Sequence, residues 1–173
     1  MQMPHRRGTA LVSLALILAP VLSSCGFDHA TDRDYTPGVG ANHRSGEVDV
    51  LGGVIVTAEG GEGVLIAGLS NNSTKDEVTL DEVLGDEPGF TVEGLEPVVL
   101  PPKGFANLAK SETPIMISGD FAPGDFVEVT FSFSNGEQAT VNIPSRLNCG
   151  DYADVPGVPA GDPTCSVETP ESH

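Results

Sequence analysis

Residues 126–143 carry the most regular pattern of apolar and polar positions in the chain. Valine and phenylalanine occupy every second position of 127–133, between glutamate, threonine and serine, and the same period of two returns in 139–143. Asn135-Gly136 separates the two runs, and this dipeptide is typical of a type I′ turn, in which both central residues have positive φ. The pattern predicts a β-hairpin with one buried face and one solvated face.

A second hairpin is predicted nearer the N-terminus. Apolar positions recur through 48–56 but are interrupted by Gly52-Gly53, and a glycine pair inside a strand pattern suggests a β-bulge. The glycine-rich sequence 59–63 predicts a turn. The run that follows, 64–69, is almost continuously apolar, which is typical of a strand in the middle of a sheet.

Short apolar segments bounded by glycine, proline or asparagine predict the remaining strands. These segments are 76–84, 90–92, 98–100, 105–108 and 115–117. The first of them fits either a strand or a short helix, and a strand is the preferred interpretation. No later segment has a convincing helical period. We therefore predict an all-β fold, an antiparallel β-sandwich of about seven strands that covers residues 46–145.

Residues 1–24 have the pattern of an export signal. Charged residues near the N-terminus precede an apolar run, 10–22, that is too short to span a bilayer. The sequence Leu-Ser-Ser directly before Cys25 resembles the lipobox of bacterial lipoproteins. That resemblance implies that Cys25 becomes the mature N-terminus and carries fatty acyl chains such as palmitate. The alternative is an ordinary secretory signal, with Cys25 left as a free or paired thiol.

Lipidation at Cys25 would hold the protein on the membrane, because each buried methylene contributes about 0.8 kcal/mol. We therefore expect a lipid-anchored protein on the extracytoplasmic face of the cell membrane. Residues 25–45 are polar and show no apolar period, which predicts a flexible tether. Residues 146–173 form a second segment without an apolar period, rich in proline, glycine and aspartate.

Two cysteines, Cys149 and Cys165, remain when Cys25 is set aside as the lipidated residue. In an oxidising compartment such a pair most simply forms a disulfide, which here would close a loop in the C-terminal segment. A dithiol metal site or redox site is the alternative. The absence of a Cys-x-x-Cys spacing argues against it.

The charge of the chain restricts its partners. Cleavage before Cys25 leaves six Lys and Arg against 25 Asp and Glu, a formal net charge of −19. Such a surface repels nucleic acid and anionic lipid headgroups, so we predict no nucleic-acid partner. Paired carboxylates are compatible with weak binding of a hard cation, but a solvated acidic surface is the simpler interpretation. We find no Ser, His and Asp arrangement suited to nucleophilic catalysis, and we predict that the protein is not an enzyme.

Turn and core motifs spread over residues 46–145 point to a known family. They are Ala67–Asn72 followed by Asp76, Pro101–Phe105, Pro114–Gly119, Pro123–Asp125 ahead of the run 127–133, and Val141–Pro144. On these motifs the region resembles the PCuAC family of periplasmic copper chaperones, which implies a cupredoxin-like β-sandwich. The motifs are mostly turn and core positions.

The same resemblance locates where copper ligands should stand. It implies a His and a Met in the middle of the domain and a later His-x-Met, because imidazole and thioether donors suit Cu(I). Pro114-Ile115-Met116 occupies the place of His-x-Met, so Met116 remains but proline replaces the histidine. Residues 76–109 contain no His, Met or Cys. Met116 is then either a core side chain or the remaining member of a copper site.

These observations predict a non-enzymatic binding or accessory module of the cell envelope, with no cofactor. Its expected partners are the membrane, through the lipid anchor, and an unidentified envelope protein. The alternative is a copper(I) chaperone in which Met116 is joined by a ligand from outside the family pattern. His43 and His29, both in the predicted tether, are the first candidates for that ligand.

Overall fold

The computed structural model describes residues 39–86 and 89–165. The predicted signal peptide, Cys25, His29 and most of the predicted tether lie outside the described residues. No helix in the described part of the chain is long and apolar enough to cross a membrane.

Ten β-strands and two 3₁₀ turns make up the described regular structure. The strands are β1 Ala41–His43, β2 Val48–Gly60, β3 Glu62–Asn71, β4 Val78–Gly85, β5 Thr91–Glu93, β6 Val98–Leu100, β7 Phe105–Asn107, β8 Ile115–Ser118, β9 Phe126–Phe133 and β10 Gln138–Leu147. The 3₁₀ turns are Leu108–Lys110 and Gly150–Tyr152. The segment 76–84, for which strand and helix were both open, is a strand.

Two sheets pack face to face and share β10. In the first sheet the order is β5-β8-β3-β2, with β7 also paired to β3 and β1 to β2; in the second it is β10-β9-β4-β6. Residues 138–144 of β10 pair antiparallel with β9, and residues 145–147 pair parallel with β2. The predicted all-β sandwich is confirmed. It has more strands than predicted and is mixed, because the β2–β10 pairing is parallel.

The hydrophobic core lies between the two sheets. Val127, Val129, Phe131 and Phe133 of β9 alternate inward, as the period of two predicts, and all are buried. Fully burying one such side chain stabilises a fold by roughly 1.5–3 kcal/mol. The opposite face of the β9–β10 hairpin is wet, and there the hydroxyls of paired threonines are hydrogen-bonded to each other. The predicted dry and wet faces are confirmed.

The predicted bulge in β2 is present. The register with β3 shifts between Leu51 and Val54, and Gly52 has a φ of +60°. A positive φ is a conformation that glycine adopts without the penalty that a Cβ brings. The bulge allows β2 to continue to Gly60, so that the strand runs through both predicted apolar segments.

The turn of the β9–β10 hairpin differs from the prediction. Gly136 has a φ of +84°, but Asn135 is not in the positive-φ region, so the turn is not type I′. Gly136 donates its N–H to the carbonyl of Phe133 at 2.9 Å, and the Asn135 side chain accepts from the N–H of Glu137 at 3.0 Å. This arrangement is a type I turn followed by a glycine bulge. It is the usual form of a three-residue hairpin loop, which has one residue more than the predicted type I′ loop.

The predicted tether ends earlier than Ser45. Residues 41–43 form β1, in which Ala41 lies opposite Gly53 and His43 opposite Val50. The prediction of a flexible tether is therefore wrong for these three residues. A short polar strand held by backbone pairing has no apolar period from which it could be recognised.

Candidate functional site

Met116, the residue that the sequence resemblance suggests as a copper ligand, lies on β8. Its neighbours Ile115 and Ile117 are buried in the core, whereas Met116 is half-buried. Because successive side chains of a strand point to opposite faces, Met116 lies on the outer face of the first sheet, away from the core. The interpretation of Met116 as a core side chain is wrong.

Among the residues that the structure describes, the strand neighbours of Met116 supply no soft donor. Met116 is opposite Val64 on β3 and opposite Glu93 on β5, an apolar side chain and a hard carboxylate. No group of three His, Cys, Asp or Glu side chains in the described residues is arranged to hold a metal ion. Carboxylates suit Ca²⁺ and Mg²⁺ rather than Cu(I). The side chains that flank Met116 therefore do not fit a copper(I) site.

His43, the first candidate for a second ligand, lies toward the other end of the sheet. His43 pairs with Val50 of β2, and Val50 in turn pairs with Leu69 of β3. Met116 pairs with Val64, which lies five residues before Leu69 on the same strand. At about 3.4 Å per residue, the two levels are roughly 17 Å apart along the strand direction. The structure does not bring the two predicted ligands together. The other candidate, His29, lies outside the described residues.

A second apolar layer covers the outer face of the first sheet. Val54, Val56, Ala58 and Val64 are each at most 3% exposed, although they point away from the core between the sheets. Their cover includes the segment 148–165, here called the strap. A Cβ placed on Gly161 would lie 2.5 Å from the Cβ of Ala58, which shows how closely the strap approaches.

The strap also approaches the strand that carries Met116. A Cβ placed on Gly157 would lie 2.5 Å from Cγ of Pro114 and 3.7 Å from Cγ2 of Val64. At its beginning, the N–H of Asn148 donates to the carbonyl of Thr57 at 3.0 Å. The described part of the C-terminal segment is thus packed on the sandwich.

The predicted disulfide between Cys149 and Cys165 is confirmed. The Cα atoms are 5.7 Å apart, within the range that a disulfide spans, and the bond joins the two ends of the strap. Of the residues singled out from the sequence for a chemical role, these two are brought together. Cys25, the predicted lipidation site, lies outside the described residues.

Tyr152 lies on the strap, near Arg146 of β10. Burial raises the pKa of its hydroxyl above the ordinary value, the nearby charge of Arg146 lowers it, and Asp151 raises it. Its hydroxyl donates a long hydrogen bond, 3.5 Å, to the carbonyl of Val39. Arg146 lies opposite Val56 on the same outer face. The raised pKa of Tyr152 is therefore a property of the docked strap.

A cleft of about 330 Å³ opens where the two sheets separate. Residues 81–85 of β4 form one wall. Phe90, Val92 and Leu95 form the other, and all three pack against the core. The Phe90 ring approaches the β4 wall closely, because a Cβ placed on Gly85 would lie 2.3 Å from Cγ of Phe90.

The sequence did not single out this cleft. A strand was predicted at 90–92 and another at 76–84, but no local signal indicates that they face each other across the edge of a sandwich. The cleft forms where strand pairing ends, so strand predictions alone do not locate it.

The fold is found in solved structures of PCuAC domains. A copper-bound PCuAC domain from PmoF2 matches 61% of this chain and 97% of that domain, with a TM-score of 0.50 and 16% identity. The apo PmoF2 PCuAC domain matches 63% of this chain and 97% of that domain, with a TM-score of 0.51 and 11% identity. No family model matches the sequence. No curated protein matches it either. The chain therefore has a PCuAC-like, cupredoxin-like fold.

Proposed function

We propose that this protein is a lipid-anchored, extracytoplasmic binding module of the cell envelope, non-enzymatic and built on a copper-chaperone-like sandwich. The observation that carries the proposal is the environment of Met116. Its cross-strand neighbours are Val64 and Glu93, so the position that the sequence resemblance suggests for a copper ligand has no soft donor on either neighbouring strand. One fold commonly hosts different functions through different side chains at its sites.

Anchoring is proposed from the Leu-Ser-Ser sequence before Cys25, which resembles a lipobox. The Cys149–Cys165 disulfide supports an extracytoplasmic location, because disulfides persist in oxidising compartments. In this proposal, the segment between Cys25 and β1 separates the sandwich from the membrane surface.

One observation favours a second candidate, a copper(I) chaperone. Met116 is half-buried on an outer face, so its thioether is not enclosed in the core as a packing residue would be. A second ligand would then have to come from His29, from His43 after a rearrangement, or from a partner protein.

Copper(I) titration distinguishes the two candidates. The mature chain with Cys25→Ser lacks the lipidation site and its thiol, and it is titrated against a chromogenic copper(I) chelator. We expect the chelator to retain the metal, both with the parent chain and with the Met116→Leu variant. Retention of one equivalent of copper(I) by the parent chain and its loss in Met116→Leu would instead establish the chaperone role.

A further inference from the structure

The edge of β4 beside the cleft is open. On that side, β6 pairs with β4 at residues 78–80, and the pairing ends at Leu80 opposite Val98, the first residue of β6. Residues 81–85 have no strand beside them on that edge among the described residues, although β9 pairs with the other edge as far as Gly85. An exposed edge of this kind is a template for an added strand.

The register identifies which backbone groups point outward. Phe133 donates its N–H to the carbonyl of Glu137 on the β10 side, so Ser132 and Thr130, by alternation, turn their peptide groups toward β4. Their partners on β4 are Glu82 and Leu84. Val83 and Gly85 alternate with Glu82 and Leu84 along β4. Their N–H and C=O groups therefore point the other way, out of the open edge.

The cleft gives this edge a place for side chains. Val83 faces the core side of β4, and on the same side Phe90, Val92 and Leu95 form the opposite apolar wall of the cleft. A strand added beside Val83 and Gly85 would insert every second side chain into this space. The cleft thus provides a pocket for apolar side chains next to free backbone donors and acceptors.

The edge beside the cleft is also acidic. Asp81 and Glu82 are exposed, and the lining of the cleft contains no Lys or Arg. Like charges that lie opposite each other across paired strands are destabilising, so a second copy of this edge is a poor partner. Basic side chains on the outward positions of an added strand would instead complement Glu82 and Asp81.

We propose that the open edge of β4 binds an extended peptide segment of another protein by strand addition. The segment places alternate apolar side chains in the cleft and basic side chains beside Asp81 and Glu82. Backbone hydrogen bonds to Val83 and Gly85 hold it in register, as in other cases of β-augmentation. This inference rests on the proposed binding role and names its partner class.

Hydrogen exchange of individual amides tests the proposal. The mature chain with Cys25→Ser is labelled with ¹⁵N and mixed with an acetylated octapeptide of alternating valine and lysine. In the free protein the amides of Val83 and Gly85 should exchange faster than that of Leu84, which faces β9. Saturating peptide should slow exchange at Val83 and Gly85 by about tenfold or more, because both become hydrogen-bonded.

Charge variants provide the matched control. Glu82→Gln should raise the Kd of the valine–lysine peptide severalfold, while Glu128→Gln, the same change on the exposed face of β9, should leave it unchanged. A peptide of alternating valine and glutamate should not bind. Failure to protect Val83 and Gly85 at about 1 mM peptide, or equal binding of the acidic peptide, would overturn the proposal. The exchange and Kd measurements need no copper, so they test peptide binding independently of the copper(I) titration.

Discussion

The side-chain amide of Asn71 donates to the backbone carbonyl of Leu100, with Nδ2 and O 3.0 Å apart. Asn71 ends β3 in the first sheet, and Leu100 ends β6 in the second. The same Nδ2 also donates to the carbonyl of Asp76 at 2.9 Å, and Oδ1 accepts from the N–H of Ser73 at 2.8 Å. Asn71 is 1% exposed, so this one side chain satisfies several backbone groups that water does not reach.

Replacing Asn71 should therefore destabilise the fold strongly. Asn71→Ala leaves buried carbonyls and an N–H without their partner, and we expect a loss of at least about 2 kcal/mol in the free energy of unfolding. Asn142→Ala, at an exposed position of β10, should change it by less than about 0.5 kcal/mol. Urea denaturation of both variants measures the difference. Equal midpoints for the two would contradict the structural role of Asn71.

Membrane attachment should depend on Cys25. Cys25→Ala removes the thiol that the lipobox-like sequence presents for acylation, so the variant should leave the membrane fraction. Mass spectrometry of the parent protein from that fraction should find Cys25 N-terminal and acylated. A secreted product with an unmodified Cys25 would show that the sequence is an ordinary export signal.

Loss of the disulfide should loosen the strap more than the core. The bond joins residues separated by 16 in sequence, and the loop-entropy model assigns such a closure about 3 kcal/mol. In the double variant Cys149→Ser, Cys165→Ser, the free energy of unfolding should fall by up to this amount. The variant should also become sensitive to proteolysis within 148–165. A reducing agent should have the same effect on the parent chain and none on the double variant. Unchanged resistance of the reduced parent would mean that packing alone holds the strap.

Tyr152 should titrate above its ordinary pKa while the strap is docked. Burial favours the neutral phenol, so the folded state holds its proton to higher pH than the unfolded state. This stabilisation is fully present below the unfolded pKa of about 10 and is lost as pH rises through the folded pKa. Ultraviolet titration of the Tyr35→Phe variant reports Tyr152 alone. In the variant without the disulfide, the pKa should return toward the ordinary value.

Adjacent residues of β8 should respond very differently to mutation. Ile117 is fully buried, so Ile117→Ala should cost about 2–5 kcal/mol of unfolding free energy. Met116 is half-buried on the outer face, and Met116→Leu nearly conserves its volume, so its cost should stay below about 1.5 kcal/mol. Thermal denaturation of the two variants tests the assignment of faces. A larger loss at Met116 than at Ile117 would reverse it.

Local sequence signals were sufficient where one face of a strand meets the core. The inward positions of β9 and the bulge at Gly52-Gly53 follow from alternation and from the backbone freedom of glycine. The type I′ turn predicted at Asn135-Gly136 is wrong, and the Asn135 side chain makes a long-range contact there. Its Nδ2 donates to a carboxylate oxygen of Glu47, which lies far away in sequence, and no two-residue rule includes such a contact.

The candidate site was less accessible to sequence reasoning. The pairing of Cys149 with Cys165 could be predicted because only two cysteines were left. The face occupied by Met116 could not, because Ile115, Met116 and Ile117 are all apolar and their run has no period of two. The cleft depends on where β6 leaves β4, which is a property of the assembled sheets rather than of either strand.

The parallel pairing of β10 with β2 affects how the chain reaches its fold. Ser145 of β10 pairs with Ile55 of β2, which precedes it by about 90 residues in the sequence. β2 therefore cannot complete its pairing until β10 has been synthesised. Contacts of such high sequence separation slow folding, because loop-closure entropy is lost before they form. During synthesis, the N-terminal hairpin therefore leaves the ribosome without the strand that completes its sheet. Until β10 emerges, the nascent chain has an exposed strand edge to which a chaperone can bind.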